Sequence, residues 1–147
     1  MKKILFLGLI STLFLVMYSC NPDDDNIDNV SDDARDKITA TYDCNETSQI
    51  YAKSTKDINS HYIVEISKDT STTDKVYIAN FYNLGIDKDV TASMSGLTIT
   101  IPTQTTDGIV FKGSGTISSN YKTIDWNYTA DDGSGQVDTV TATYTKQ

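Results

Sequence analysis

The chain has 147 residues, with 12 Lys and Arg against 20 Asp and Glu for a net charge of −8. That length suits one domain, and the acidic balance argues against a general nucleic-acid binder, which needs a basic face to meet phosphates. One His and two Cys leave little for metal ligation or nucleophilic catalysis, and 8 Gly with 2 Pro exclude a collagen-like or Pro-rich disordered chain.

The first element is an address. Met1-Lys2-Lys3 is a short positive stretch, and Ile4 to Met17 is an apolar run of fourteen residues. A spanning helix needs about 20 apolar residues, so this run reads as the core of a signal peptide over residues 1–19. It ends on Met17-Tyr18-Ser19-Cys20. That ending resembles the lipobox of bacterial lipoproteins, in which a small residue precedes an invariant Cys. The resemblance implies cleavage before Cys20 and lipidation of its thiol, with palmitate among the acyl chains. Several acyl chains on one residue hold a membrane firmly where a single chain does not. Loss of Lys2 and Lys3 leaves 10 positive against 20 negative side chains.

Residues 20–37 follow as the lipidated Cys and an acidic tether. Asn21 to Lys37 holds seven Asp, with Arg35 and Lys37 as its basic residues and only Ile27, Val30 and Ala34 as apolar ones. Such a segment buries too little surface to offset its ordering entropy and reads as a solvated spacer. Ser31-Asp32-Asp33 can cap one helical turn through Ala34 to Lys37, with Asp at its positive end. No EF-hand spacing accompanies the carboxylates, so no calcium site is expected. Asp23-Asp24-Asp25, just after the lipidated Cys, resembles the surface-export signal of Bacteroidota lipoproteins. It implies an outer-membrane protein facing the cell surface; an acidic spacer on the periplasmic face is the alternative.

Residues 38–147 read as an all-β domain. Ile outnumbers Leu twelve to two there, and the stretch holds twenty of the chain's 21 Thr. These residues suit a pleated, half-buried surface. Period-two alternation predicts eight strands near 38–44, 61–68, 75–82, 88–95, 97–103, 108–118, 121–130 and 137–146. Ile38, Ala40, Tyr42 and Cys44 share one phase, as do Tyr62, Val64 and Ile66; Leu97, Ile99 and Ile101; Ile124, Trp126, Tyr128 and Ala130; and Val140, Ala142 and Tyr144. Asn45 to Ser60 reads as irregular, with a short strand around Ile50. The third strand is apolar on both faces. Val76, Ile78 and Tyr82 alternate with Tyr77, Ala79 and Phe81, and the outer face is either covered by Ile50, Tyr51 and Ile58 or exposed to a partner. Ser95-Gly96, Asp107-Gly108 and Ser119-Asn120 read as tight connections and 131–135 as a flexible loop.

Short connections make neighbours antiparallel, and eight sequential strands must manage their edges. An up-and-down meander closing into a small barrel does so; a two-sheet β-sandwich is the alternative. Gly113 and Gly115 share the inward phase and mark a bend or room for a large side chain such as Trp126. Three runs then stand out: Gly113 to Ser118, the aromatic strand Ile124 to Thr129, and Thr141 to Lys146. With them the domain resembles small Thr-rich β-meander lipoproteins of Bacteroidota, which are lipocalin-like (calycin-like) and mostly of unassigned activity. The Gly-x-Trp motif of true lipocalins is absent; the one Trp is Trp126.

No catalytic constellation emerges. His61 opens a strand after a polar loop and reads as a surface residue. No Gly-x-Ser-x-Gly elbow, metal-spaced His or Cys pair, or phosphate loop is present. Glu65 and Asp125 fall on the polar phase. Asp138-Thr139-Val140 resembles the short O-glycosylation motif of the same bacteria. The expectation is therefore a protein without enzymatic activity, cofactor or metal, whose partner is the membrane through lipid on Cys20. Its β domain serves as an interaction or structural module meeting a protein partner. The alternative is a lipocalin-like binder of a small apolar ligand. Tyr42, Tyr62, Phe111, Trp126, Tyr128 and Tyr144 would then line the interior. The same six side chains would equally build a solid core. Cys44 is expected as a buried, unpaired thiol.

Overall fold

The computed structural model describes residues 32–50 and 59–147. Eight antiparallel strands run in chain order: β1 (Ala40–Ser48), β2 (Asn59–Lys68), β3 (Lys75–Ala79), β4 (Asp89–Ser95), β5 (Thr98–Thr106), β6 (Ile109–Ile117), β7 (Thr123–Asp131) and β8 (Val137–Lys146). They form a closed barrel rather than a sandwich, sealed where β8 returns to β1 and Tyr144 stands opposite Cys44. Closure leaves no edge strand with unpaired backbone groups. The expected signal peptide over residues 1–19, Cys20, the Asp23-Asp24-Asp25 cluster, Tyr51 and Ile58 lie outside the described residues.

The period-two phases set the interior. Tyr42, Cys44, Val64, Ile66, Val76, Ile78, Val90, Ile99, Ile124, Trp126, Val140 and Tyr144 are all buried inside the barrel. Burial of each large apolar side chain contributes roughly 1.5–3 kcal/mol, set against the entropy of ordering it. Glu65, Asp125 and His61 face solvent, as their phase requires.

One end, here called lower, carries the β2–β3, β4–β5 and β6–β7 connections and the entry of the chain. A 3-10 turn, Ala34–Lys37, sits there with Asp33 as its N-cap. The capping expected from the sequence is present, but Asp33 and Arg35 belong to the folded unit and not to a solvated spacer. Arg35 is buried; its Nη1 donates to the carbonyls of Asp69, Thr72 and Lys75 at 2.8–2.9 Å, and its Nε and Nη2 grip Asp33. The guanidinium thus ties the incoming chain to the β2–β3 connection.

Several boundaries differ from the sequence expectation. The ends of the 45–60 segment are strand and not irregular: β1 continues to Ser48 with Glu46 paired to both Ser60 and Ala142, and β2 begins at Asn59. The polar inward residues Glu46 and Ser48 hid that continuation. β3 stops at Ala79 because Asn80 turns left-handed (φ 59°), and a short 3-10 turn, Phe81–Asn83, follows. Phe81 therefore points into the barrel and is fully buried, not on an outer face. The β4–β5 turn is Gly96-Leu97, since Ser95 pairs with Thr98; Leu97 is exposed instead of inward. β5 extends past 103 to Thr106 through a bulge between Ile101 and Gln104, where Pro102 has no N–H to donate. Asp107-Gly108 makes the β5–β6 hairpin with both residues at positive φ (51° and 81°).

Candidate functional site

The upper end, opposite Arg35, carries the β3–β4, β5–β6 and β7–β8 connections. Beneath it the interior is not purely apolar. β1 aims Glu46 inward by continuing the phase of Tyr42 and Cys44, and the carboxylate is buried. Tyr62 of β2 donates its hydroxyl to Glu46 Oε2 at 2.5 Å, and Tyr128 of β7 donates to the same oxygen. Burial pushes the Glu46 carboxyl above its ordinary range, with the nearby Asp138 charge adding to the shift and the two phenol donors opposing it.

Asp138 is a second inward carboxylate, brought in by β8. Its Oδ2 accepts from Ser48 Oγ (2.5 Å) and Tyr82 Oη (2.9 Å), and its Oδ1 from the backbone N–H groups of Gln49 and Ile50. It pins the end of β1 to the turn that carries Phe81. With its carboxylate committed inward, Asp138 is part of the barrel's architecture, while Thr139 of the glycosylation-like triplet is exposed.

The six expected lining residues are brought together. Tyr42, Phe111, Trp126 and Tyr144 are fully buried and Tyr62 and Tyr128 nearly so. Phe81, not anticipated, sits among them: its ring lies 4.5 Å from Tyr128, 5.4 Å from Phe111 and 6.1 Å from Trp126. Two polar atoms in this wall, Trp126 Nε1 and Tyr144 Oη, are buried without a hydrogen-bond partner. Each such orphan costs on the order of 1–3 kcal/mol, so its presence requires an explanation. Burial pushes the Tyr144 hydroxyl well above its ordinary value, and the Cys44 and Glu46 charges push it the same way. Cys44 is a free, buried thiol, its pKa raised to about 12 by burial.

A pocket of about 180 Å³ opens at the upper end between Tyr82, Ile109, Ala130, Asp132 and Asp138. Among the described residues no group of three or more His, Cys, Asp or Glu stands together as a metal site. Glu46 and Asp138 were legible in principle. Extending the inward phase two residues beyond Cys44, and back two from Val140, reaches both. No protein-family model matches the chain, and no curated protein matches it either.

Proposed function

We propose that the chain is a lipid-anchored outer-membrane protein, facing the cell surface, whose barrel holds a small ligand. The anchoring half rests on the resemblance at Ser19-Cys20 and Asp23-Asp24-Asp25. Radiolabelled palmitate should enter the wild type and not a Cys20→Ala variant; equal incorporation overturns the anchor.

The ligand-holding half is supported by one observation: inside the barrel a carboxylate accepts from two phenols, and a third phenol and an indole N–H are buried there without a partner. A barrel that had only to be solid would gain by apolar side chains at these positions, because buried charge is costly unless fully compensated. An apolar fluorescent probe should bind the full chain saturably and alter the emission of Trp126, the sole Trp. Absence of saturable binding, with Trp126 unaffected, overturns this half.

The other reading is an interaction or structural module. It is favoured by Ile86 (63 % exposed) and Val137 (53 % exposed), apolar residues near the upper end. It becomes the better account if no ligand enters the barrel.

A further inference from the structure

We propose that the barrel takes a small organic ammonium ion with an aromatic or apolar body. Its charged nitrogen sits between the Glu46 carboxylate and the Tyr144 hydroxyl, and its body occupies the space now filled by Phe81. This rests on the reading of the barrel as a ligand holder and names the class of ligand.

The first argument is charge. Glu46 and Asp138 both face the interior, and the buried cation among the described residues, Arg35, is engaged at the opposite end with Asp33 and three carbonyls. Asp138 is satisfied by four donors. Glu46 is not: both phenols converge on Oε2, and neither takes Oε1. A buried carboxylate that meets no cationic side chain among the described residues is matched by a cationic donor. An inorganic divalent ion is poorly served, since among the described residues no third ligating side chain joins the two carboxylates.

The second argument is the orphaned hydroxyl. Tyr144 Oη is buried and unpartnered, and Tyr144 stands opposite Cys44, two residues before Glu46 on the same inward phase of β1. An ammonium carries several N–H donors, so one nitrogen can serve both the carboxylate and this phenol oxygen. Phe111, Trp126 and Tyr128 ring the space that Phe81 fills, and aromatic rings attract a desolvated cation.

The third argument is the nature of Phe81. The other interior aromatics stand on strands, whereas Phe81 is carried by a loop. Its neighbours Asn80, Tyr82 and Asn83 all hold left-handed conformations (φ 59°, 56° and 57°); Asn tolerates that conformation, whereas Tyr82 adopts it only because its surroundings impose it. The turn is held by Asn80, which donates to the Ile63 carbonyl and accepts from the Gly85 N–H, and by Tyr82 on Asp138. Withdrawal of this turn would free the space of one side chain beside the upper-end pocket, which Tyr82 and Asp138 line. Phe81 is thus a built-in plug for an aromatic guest.

The test uses the full chain in lipid nanodiscs, with Trp126 emission as the readout and three probes of one shape: 2-phenylethylamine, neutral 2-phenylethanol and anionic 3-phenylpropionate. The amine should bind saturably and at least about tenfold more tightly than the alcohol, with the anion weakest. Glu46→Gln, which keeps a hydrogen-bond acceptor, should bring the amine down to the alcohol's affinity. Phe81→Ala should tighten the amine. If the alcohol binds as well as the amine, or the amine is indifferent to Glu46→Gln in a variant that melts cooperatively, the ammonium assignment is overturned while the barrel remains a ligand holder. If none of the three binds either the wild type or Phe81→Ala, the ligand-holding reading falls as well.

Discussion

Gly115 on β6 stands directly opposite Trp126 on β7, and a methyl group added to Gly115 would fall 2.9 Å from the indole ring and from Ile99 Cγ2. The neighbouring inward glycine, Gly113, stands opposite Tyr128, where a methyl would fall 2.4 Å from Tyr128 Cβ and 2.5 Å from the Asn127 carbonyl oxygen. Gly115 leaves room for the indole of Trp126, and Gly113 lets the β7 backbone approach β6 at Tyr128.

Their substitutions should therefore differ. At Gly115 the obstacle is side chain, which can shift at an overpacking cost of about 1–3 kcal/mol. At Gly113 the obstacle is backbone, so the strands themselves must part. Gly113→Ala should lower the urea midpoint more than Gly115→Ala, and only Gly115→Ala should red-shift or broaden Trp126 emission without loss of the fold. Equal effects would show that the β6–β7 contact is looser than described.

The inward glycines, the eight strands and the six interior aromatics were legible because one-sided burial imposes a period of two, and side chains obey it even where length and turns vary. The misses have a common physical origin: each is a place where polarity or backbone chemistry breaks that period. Glu46 and Ser48 are polar residues on the inward phase, so β1 looked finished at Cys44. Phe81 kept the alternation in sequence, but Asn80 had already turned left-handed and reversed its direction. Leu97 looked like the first residue of a strand and is a turn residue, because Gly96 supplies the positive φ one position earlier than a Ser-Gly turn would need. Arg35, in a run of aspartates, read as solvated; only the three carbonyls of a distant connection make it structural.

The Asp33–Arg35 pair gives the protein an acid limb. Hydrogen bonds from the Arg35 side chain and backbone hold the Asp33 carboxyl at about 2, below its ordinary 3.8. A carboxyl whose folded pKa is depressed contributes stability above its unfolded pKa and loses it as the pH falls through the folded one. Melting temperature should accordingly decline between pH 4 and about 2, and Asp33→Asn should flatten that decline while lowering the melting temperature at pH 7. Parallel curves for the two proteins would mean that the Arg35 anchor does not depend on this charge.

Glu46 has the opposite sign. Burial raises its pKa in the folded protein above the ordinary 4.5, so the folded state holds the proton more tightly than the unfolded chain. Its contribution is present in full below the unfolded value and is lost as the pH rises through the folded one. Glu46→Gln keeps an oxygen for the phenols of Tyr62 and Tyr128 and removes the titration. The melting temperature of the wild type should fall relative to that of the variant as the pH rises above about 4.5. A constant difference across that range would show Glu46 titrating at its ordinary value in the folded barrel.

Cys44 offers a check on the register of the β8–β1 seam. It is buried between Tyr62 on β2 and Tyr144 on β8, and its pKa is raised to about 12 by burial, so almost no thiolate is available at neutral pH. A bulky thiol reagent should label the native protein very slowly and the urea-unfolded protein at the rate of a free thiol. Lipidation of Cys20 would leave Cys44 as the one titratable thiol, so the count should be a single equivalent per chain. Cys44→Ser places a hydroxyl among the same groups and should cost little beyond the apolar surface it removes, whereas Cys44→Leu overfills the seam and should open it by about 1–3 kcal/mol. Rapid native labelling would put Cys44 outside and move every β1 side chain, Glu46 included, to the other face.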